Sequence, residues 1–196
     1  MVMVLAGNGS ITGVTSMPTN VQFGGTVGVT GAMNTSSTLS AVSGNFSIDS
    51  SGRVTTPYQP MVYASKTTGN WANYYNGGAG TTFVFDTAPV NVGSSYNTST
   101  GIFTCPVAGY YRVISSILMG NASGTSGFYL YKNGSGYGQG SYAYVGGNNV
   151  QTGFSWNINC AASDSLKIVA WCSQSGGSYN GVYEAYYNFL SIELVG

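Results

Sequence analysis

"NVGSSYNTSTGIFTCPVAGYYRVIS", residues 91–115, decides the reading of this chain. It starts with turn residues, passes Phe103, Cys105-Pro106 and Ala108-Gly109, and runs through two tyrosines into an apolar segment. Pro106 and Gly109 break a strand that contains Phe103, and Tyr111 opens the next. Gly109 fits a turn that needs positive φ or a close backbone approach. Tyr96, Phe103 and Tyr111 are expected to pack on one face of a sandwich. The stretch therefore reads as core and turn rather than as an active site, because core aromatics are common and no catalytic residue types accompany them.

Outward from that stretch, charge is nearly absent. Charged residues are 5% of the 196, and five basic and five acidic residues cancel to a net charge of zero. A chain without a basic patch cannot neutralise a phosphate backbone, so nucleic-acid binding is not expected. Low charge can accompany disorder, but aromatics at 14%, with 16 Tyr, supply a core. The surface is then built of Gly, Ser, Thr, Asn and Tyr, which protects poorly against association and suits an oligomer or a packed lattice. No stretch approaches the roughly 20 apolar residues of a membrane span. The opening "MVMVLAGNGSITG" lacks the basic flank and apolar length of a signal peptide. Cys105, Cys160 and Cys172 match neither a disulfide framework nor a zinc site, and are expected to be free, structural and mostly buried.

Two regions follow from composition. Residues 1–57 hold no Tyr or Trp and only Phe23 and Phe46, with small β-branched residues alternating with Gly, Ser and Thr. "VQFGGTVGVTG" (21–31) and "GNFSIDSSGRVT" (44–55) read as short strands, with Ser50–Gly52 turning between Phe46–Ile48 and Val54. Such a segment cannot make a core alone and needs the rest of the chain, sister chains or another protein. "PYQP", Pro57–Pro60, marks the boundary. In residues 58–196, runs of alternation recur at Met61–Ser65, Thr82–Phe85, Tyr96, Gly101–Cys105, Gly109–Met119, Phe128–Lys132, Ser141–Val145, Gln151–Cys160, Ser165–Cys172 and Tyr183–Val195. About ten strands with no helix predict an all-β sandwich or barrel. Asn133-Gly134 supplies a hairpin signal.

The series Phe85, Asn91, Tyr96, Phe103, Gly109, Tyr111 resembles the signature of the complement-one-q globular head, a jelly roll of about ten strands shared with the tumour necrosis factor ligands. Val113 and Ser115 depart from it, where Phe and an aromatic are usual. "AASDSLKIVAW" and "YYNFLSIELVG" resemble the closing strands of that family. The resemblance covers about residues 60–196 and implies a homotrimer. The alternation of Phe128 and Leu130 with Tyr129 and Tyr131, repeated at Tyr142 and Tyr144, offers one face to the core and a tyrosine face to a sister chain.

Catalytic chemistry is not expected. The chain has no His, which removes the commonest general base and metal ligand. Its carboxylates are scattered and show no tuning partners. Asp86, Asp164 and Glu184 match no calcium-ligand pattern, and "GNGSITG" and "GGTVGVTG" lack the Lys and the strand–helix context of a phosphate loop. No cofactor is expected. The N-terminal segment ending "SIDSSGRVTTPYQP" resembles the stems of phage fibres and virion structural proteins. The expected function is therefore a trimeric structural protein of a bacteriophage particle, decorating or cementing the capsid or forming a head fibre. Residues 1–57 would meet other virion proteins, and the knob would be free to contact a host-surface glycan or protein. A tail-fibre receptor-binding protein and a secreted complement-one-q-like binding module are the alternatives.

Overall fold

Period-two alternation of apolar and small polar residues dominates the chain, and backbone pairing follows it. The computed structural model describes residues 39–41, 46–48, 51–67, 81–119, 123–146, 150–172 and 187–196. The strands are β1 (Leu39–Ala41), β2 (Phe46–Ile48), β3 (Val54–Thr55), β4 (Met61–Ser65), β5 (Thr81–Thr82), β6 (Thr87–Asn91), β7 (Tyr96–Asn97), β8 (Ile102–Thr104), β9 (Gly109–Met119), β10 (Ser123–Lys132), β11 (Ser135–Gly146), β12 (Val150–Cys160), β13 (Ser165–Cys172) and β14 (Phe189–Leu194). One helical element is described, a single 3-10 turn at Val92–Ser94. The run 21–31 lies outside the described residues.

β4 to β14 form a jelly-roll sandwich of two antiparallel sheets. One is five-stranded in the order β12-β9-β14-β4-β6. The other is six-stranded, running β11-β10-β13-β8-β7 with β5 also on β13. Chain neighbours such as β8 and β9 lie in different sheets, so the chain crosses the core repeatedly. β9 shows how the sequence sets this: Tyr111, Val113, Ser115 and Ile117 face the core, while Arg112, Ile114 and Ser116 face out. Burying a chain of fully covered side chains such as Val62, Phe83, Phe85, Leu130, Ile158 and Ile192 drives the two sheets together.

Several elements differ from the sequence expectation, each for a local reason. The strand expected over Thr82–Phe85 is only Thr81–Thr82. Phe83 and Phe85 then both turn inward, their ring centroids 4.6 Å apart, and the chain re-enters a sheet at β6. Pro89 is tolerated there because β6 is an edge strand. β10 and β11 extend into the Gly/Ser-rich segments 123–127 and 135–140, where backbone bonds maintain the ladder. Asn133 and Gly134 take φ of 50° and 79°, the left-handed pair that a two-residue hairpin turn demands. Of the closing run expected over Tyr183–Val195, the described strand is Phe189–Leu194 and residues 183–186 lie outside the described residues, and Cys105 lies one residue beyond β8 rather than on it.

β1, β2 and β3 make a separate three-stranded sheet. β2 and β3 pair as Ser47↔Thr55 and Ile48↔Val54, with Gly52 at φ 75° in the connection. Among the described residues, these three strands pair only with one another.

Candidate functional site

The six signature residues converge on one end of the sandwich, where the 3-10 turn and three strand ends meet. Asn91 ends β6, and Tyr96 opens β7. The Asn91 side chain spans the turn between them. Its Nδ2 donates to the Tyr96 carbonyl at 2.9 Å, and its Oδ1 accepts the Tyr96 N–H at 3.0 Å. Only a short side chain with a donor and an acceptor can close both bonds. The Tyr96 hydroxyl in turn accepts the Phe85 N–H at 3.0 Å. This fixes Phe85 where no strand ladder holds it. Burial pushes the pKa of the Tyr96 phenol far above its ordinary value, so the hydroxyl keeps its proton.

Phe103 sits opposite Tyr96 in register, and its ring meets Tyr111 edge-on across the core, centroids 5.7 Å apart. Tyr96 and Phe103 therefore belong to the six-stranded sheet and Tyr111 to the five-stranded one, a correction to the single face expected from sequence. Period-two reading assigns inward and outward positions but not which sheet a strand joins. The Tyr111 hydroxyl donates to the Val107 carbonyl at 2.8 Å and pins the connection that crosses between sheets. Burial raises its pKa as well. Gly109, at φ 155°, lies against the chain end. A Cβ there would come 2.6 Å from the Gly196 carbonyl oxygen, and the Tyr110 N–H donates to that oxygen at 2.5 Å. The two departures from the signature are packed differently rather than lost. Val113 is fully covered, and Ser115 donates its hydroxyl to the Phe189 carbonyl at 2.8 Å.

Tyr129 and Tyr131 of the expected tyrosine face alternate with buried Phe128 and Leu130 and so lie on the outer side of the six-stranded sheet. Tyr129 and Tyr131 are half-buried, and Lys167 stands 5.8 Å from the Tyr131 ring centroid. Tyr142 and Tyr144 occupy the register positions opposite Gly127 and Thr125. A second outward face, not singled out from sequence, belongs to the five-stranded sheet. Tyr63 and Phe189 stack there at 6.0 Å beside Ile114, with Met61 exposed nearby. Its only described ion pair is Arg112 with Glu193, Nε to Oε1 at 2.7 Å. The signal was present as outward-phased Tyr63, Ile114 and Phe189, but they come from three strands distant in sequence.

Two of the described carboxylates, Asp86 and Asp164, are held by neighbouring donors. Asp86 accepts from Lys66 Nζ at 2.8 Å and from the Thr67 N–H at 2.7 Å. Asp164 accepts from Asn133 Nδ2 at 2.7 Å, Lys132 Nζ at 2.8 Å and the Ala161 N–H at 2.8 Å, and these donors hold its pKa at about 2. Asp86 and Asp164 each carry a lysine partner, and Glu184 lies outside the described residues. No group of His, Cys, Asp or Glu among the described residues is arranged to hold a metal ion. An open groove of about 320 Å³ at the junction of the two regions is lined by Thr56, Pro57, Gln59, Met61 and Glu193. Its one carboxylate is the partner of Arg112. No helix among the described residues is long and apolar enough to cross a membrane.

The family model of the C1q domain matches residues 63–154. The globular domain of zebrafish complement 1qA is 13% identical, with a TM-score of 0.54, over 70% of this chain and 98% of that one. Murine APRIL, in a crystal at pH 5.0, is 9% identical with a TM-score of 0.54, over 70% of this chain and 99% of that one. None of the curated proteins compared with the chain matches it in sequence. At such identities the likeness is one of fold: residues from about Met61 onward form a C1q/TNF-like jelly roll.

Proposed function

We propose that the chain is a homotrimeric structural protein of a bacteriophage particle, in which the jelly roll is an exposed knob and residues 1–57 attach it to other virion proteins. The observation that carries this reading is the separate sheet of β1, β2 and β3, which precedes the knob and pairs with none of its described strands. A Ser/Thr/Gly-rich segment whose two charges, Asp49 and Arg53, cancel presents backbone edges that a neighbouring chain can extend. The knob needs no such help, because its two sheets enclose their own core.

Trimerisation would cover the Tyr63, Ile114 and Phe189 face of the five-stranded sheet. That face is apolar and nearly uncharged, whereas Tyr131 on the opposite sheet has a lysine over its ring. The decisive experiment compares the full chain with a chain of residues 58–196. Both are expected to be folded trimers, and only the full chain is expected to join particles at normal occupancy. Equal incorporation of the shorter chain would move attachment to the knob and overturn the reading.

The C1q domain match favours a second reading, a secreted binding module. Purified particles separate the two. Stoichiometric peptides of this chain in the particle support the first, and their confinement to particle-free medium supports the second.

A further inference from the structure

Two thiols meet where the sheets close over the signature cluster. Cys105 follows β8 of the six-stranded sheet, and Cys160 ends β12 of the five-stranded sheet. Both are free and buried, at 0% and 2% exposure. Backbone geometry imposes their approach. The Cys105 N–H donates to the Asp164 carbonyl at 2.8 Å, and the Cys105 carbonyl accepts the Ser163 N–H at 2.7 Å. Ser163 and Asp164 belong to the turn that leaves Cys160. That turn is closed by the Ala161 N–H on the Asp164 carboxylate and anchored by Lys132 and Asn133. The two thiols lie close enough for each to perturb the other's ionisation. Cys172 stands at the far end of β13, about 23 Å along the strand from its start beside this turn, well beyond bridging distance.

We propose that Cys105 and Cys160 are an oxidation site: a small-molecule disulfide converts them into an intramolecular bridge that ties one sheet to the other without rearranging the fold. One cysteine thiolate attacks a sulfur of the small disulfide, breaks its S–S bond and releases one small thiol. The second cysteine thiolate then attacks the protein sulfur of the mixed disulfide and expels the other. Two protein S–H groups become one S–S bond, and the small disulfide becomes two thiols. Burial disfavours both thiolates in the folded state, so the bridge forms while the chain folds or opens. The redox state of the compartment in which the chain folds is thereby fixed in the product.

The test refolds the full chain from urea with oxidised and reduced glutathione, and in parallel with reductant alone, then alkylates under denaturing conditions and maps the peptides. The expected product has one alkylated cysteine, Cys172, joined Cys105 and Cys160 peptides, and a mass lower by about 2 Da before alkylation. Its thermal midpoint is expected about 10 °C above that of the reduced protein. Cys172→Ser should leave the bridge intact, and Cys160→Ser should abolish it. Three alkylated cysteines, a bridge through Cys172, or a bridged protein that melts below the reduced one would overturn the proposal. Where refolding is incomplete, the soluble chain with oxidised glutathione in sub-denaturing urea gives the same readout.

Discussion

Asn91 does with one side chain what a strand ladder does with several residues. It holds both backbone groups of Tyr96 across a turn. Asn91→Ala leaves those groups without partners and is expected to cost about 1–3 kcal/mol, read by urea denaturation. Phe103→Ala removes a ring with no exposed surface and its contact with Tyr111, for a loss of about 3–5 kcal/mol. A neutral Phe103→Ala would mean the signature is misplaced. Asp164 gives a pH signature. Its folded pKa, near 2, is depressed from an ordinary 3.8, so its charge stabilises the fold fully above that ordinary value. The contribution is lost as pH falls toward 2. Asp164→Asn is expected to flatten the stability curve between pH 4 and 2, checked by thermal melts across that range.

Strands tell how much of the fold was legible. β9 and β13 are where alternation placed them, because eleven- and eight-residue runs leave little doubt about phase. Phe83 and Phe85 alternate as strand residues do, yet they are held by the Ile168 carbonyl of β13 and the Tyr96 hydroxyl of β7, partners that alternation does not reveal. The glycine-rich start of β11 was invisible because glycine carries no pattern. Its role emerges only opposite β12, where Phe154 and Trp156 pack at 4.0 Å over Gly138 and Gly140. The role of Gly109 was readable as a close approach, but its partner, the last residue of the chain, was not. Gly109→Ala would drive a methyl group into the Gly196 carbonyl and Leu194. The expected result is early exchange of the Tyr110 and Val195 amides, measured by hydrogen–deuterium exchange, with the opposite end of β9 still protected.

For the whole molecule, the decisive question is what covers the outward face of the five-stranded sheet. Tyr63→Arg would place a charge in the middle of the proposed interface, and light scattering is expected to report monomers. Tyr131→Arg, on the other sheet, should remain trimeric. The reverse pattern would move the interface to the tyrosine face. The scarcity of cations has a separate consequence, for proteolysis. Lys66, Arg112, Lys132 and Lys167 lie on or beside jelly-roll strands, and each is engaged by a carboxylate or an aromatic ring. Arg53, the fifth, also has an interaction of its own, but it alone lies outside the jelly roll, exposed in the connection between β2 and β3. A protease needs an extended, accessible backbone around its cleavage site. Limited trypsin treatment should therefore make one early cut, after Arg53, and release the jelly roll whole, so that a single digestion band marks the seam between the N-terminal sheet and the jelly roll.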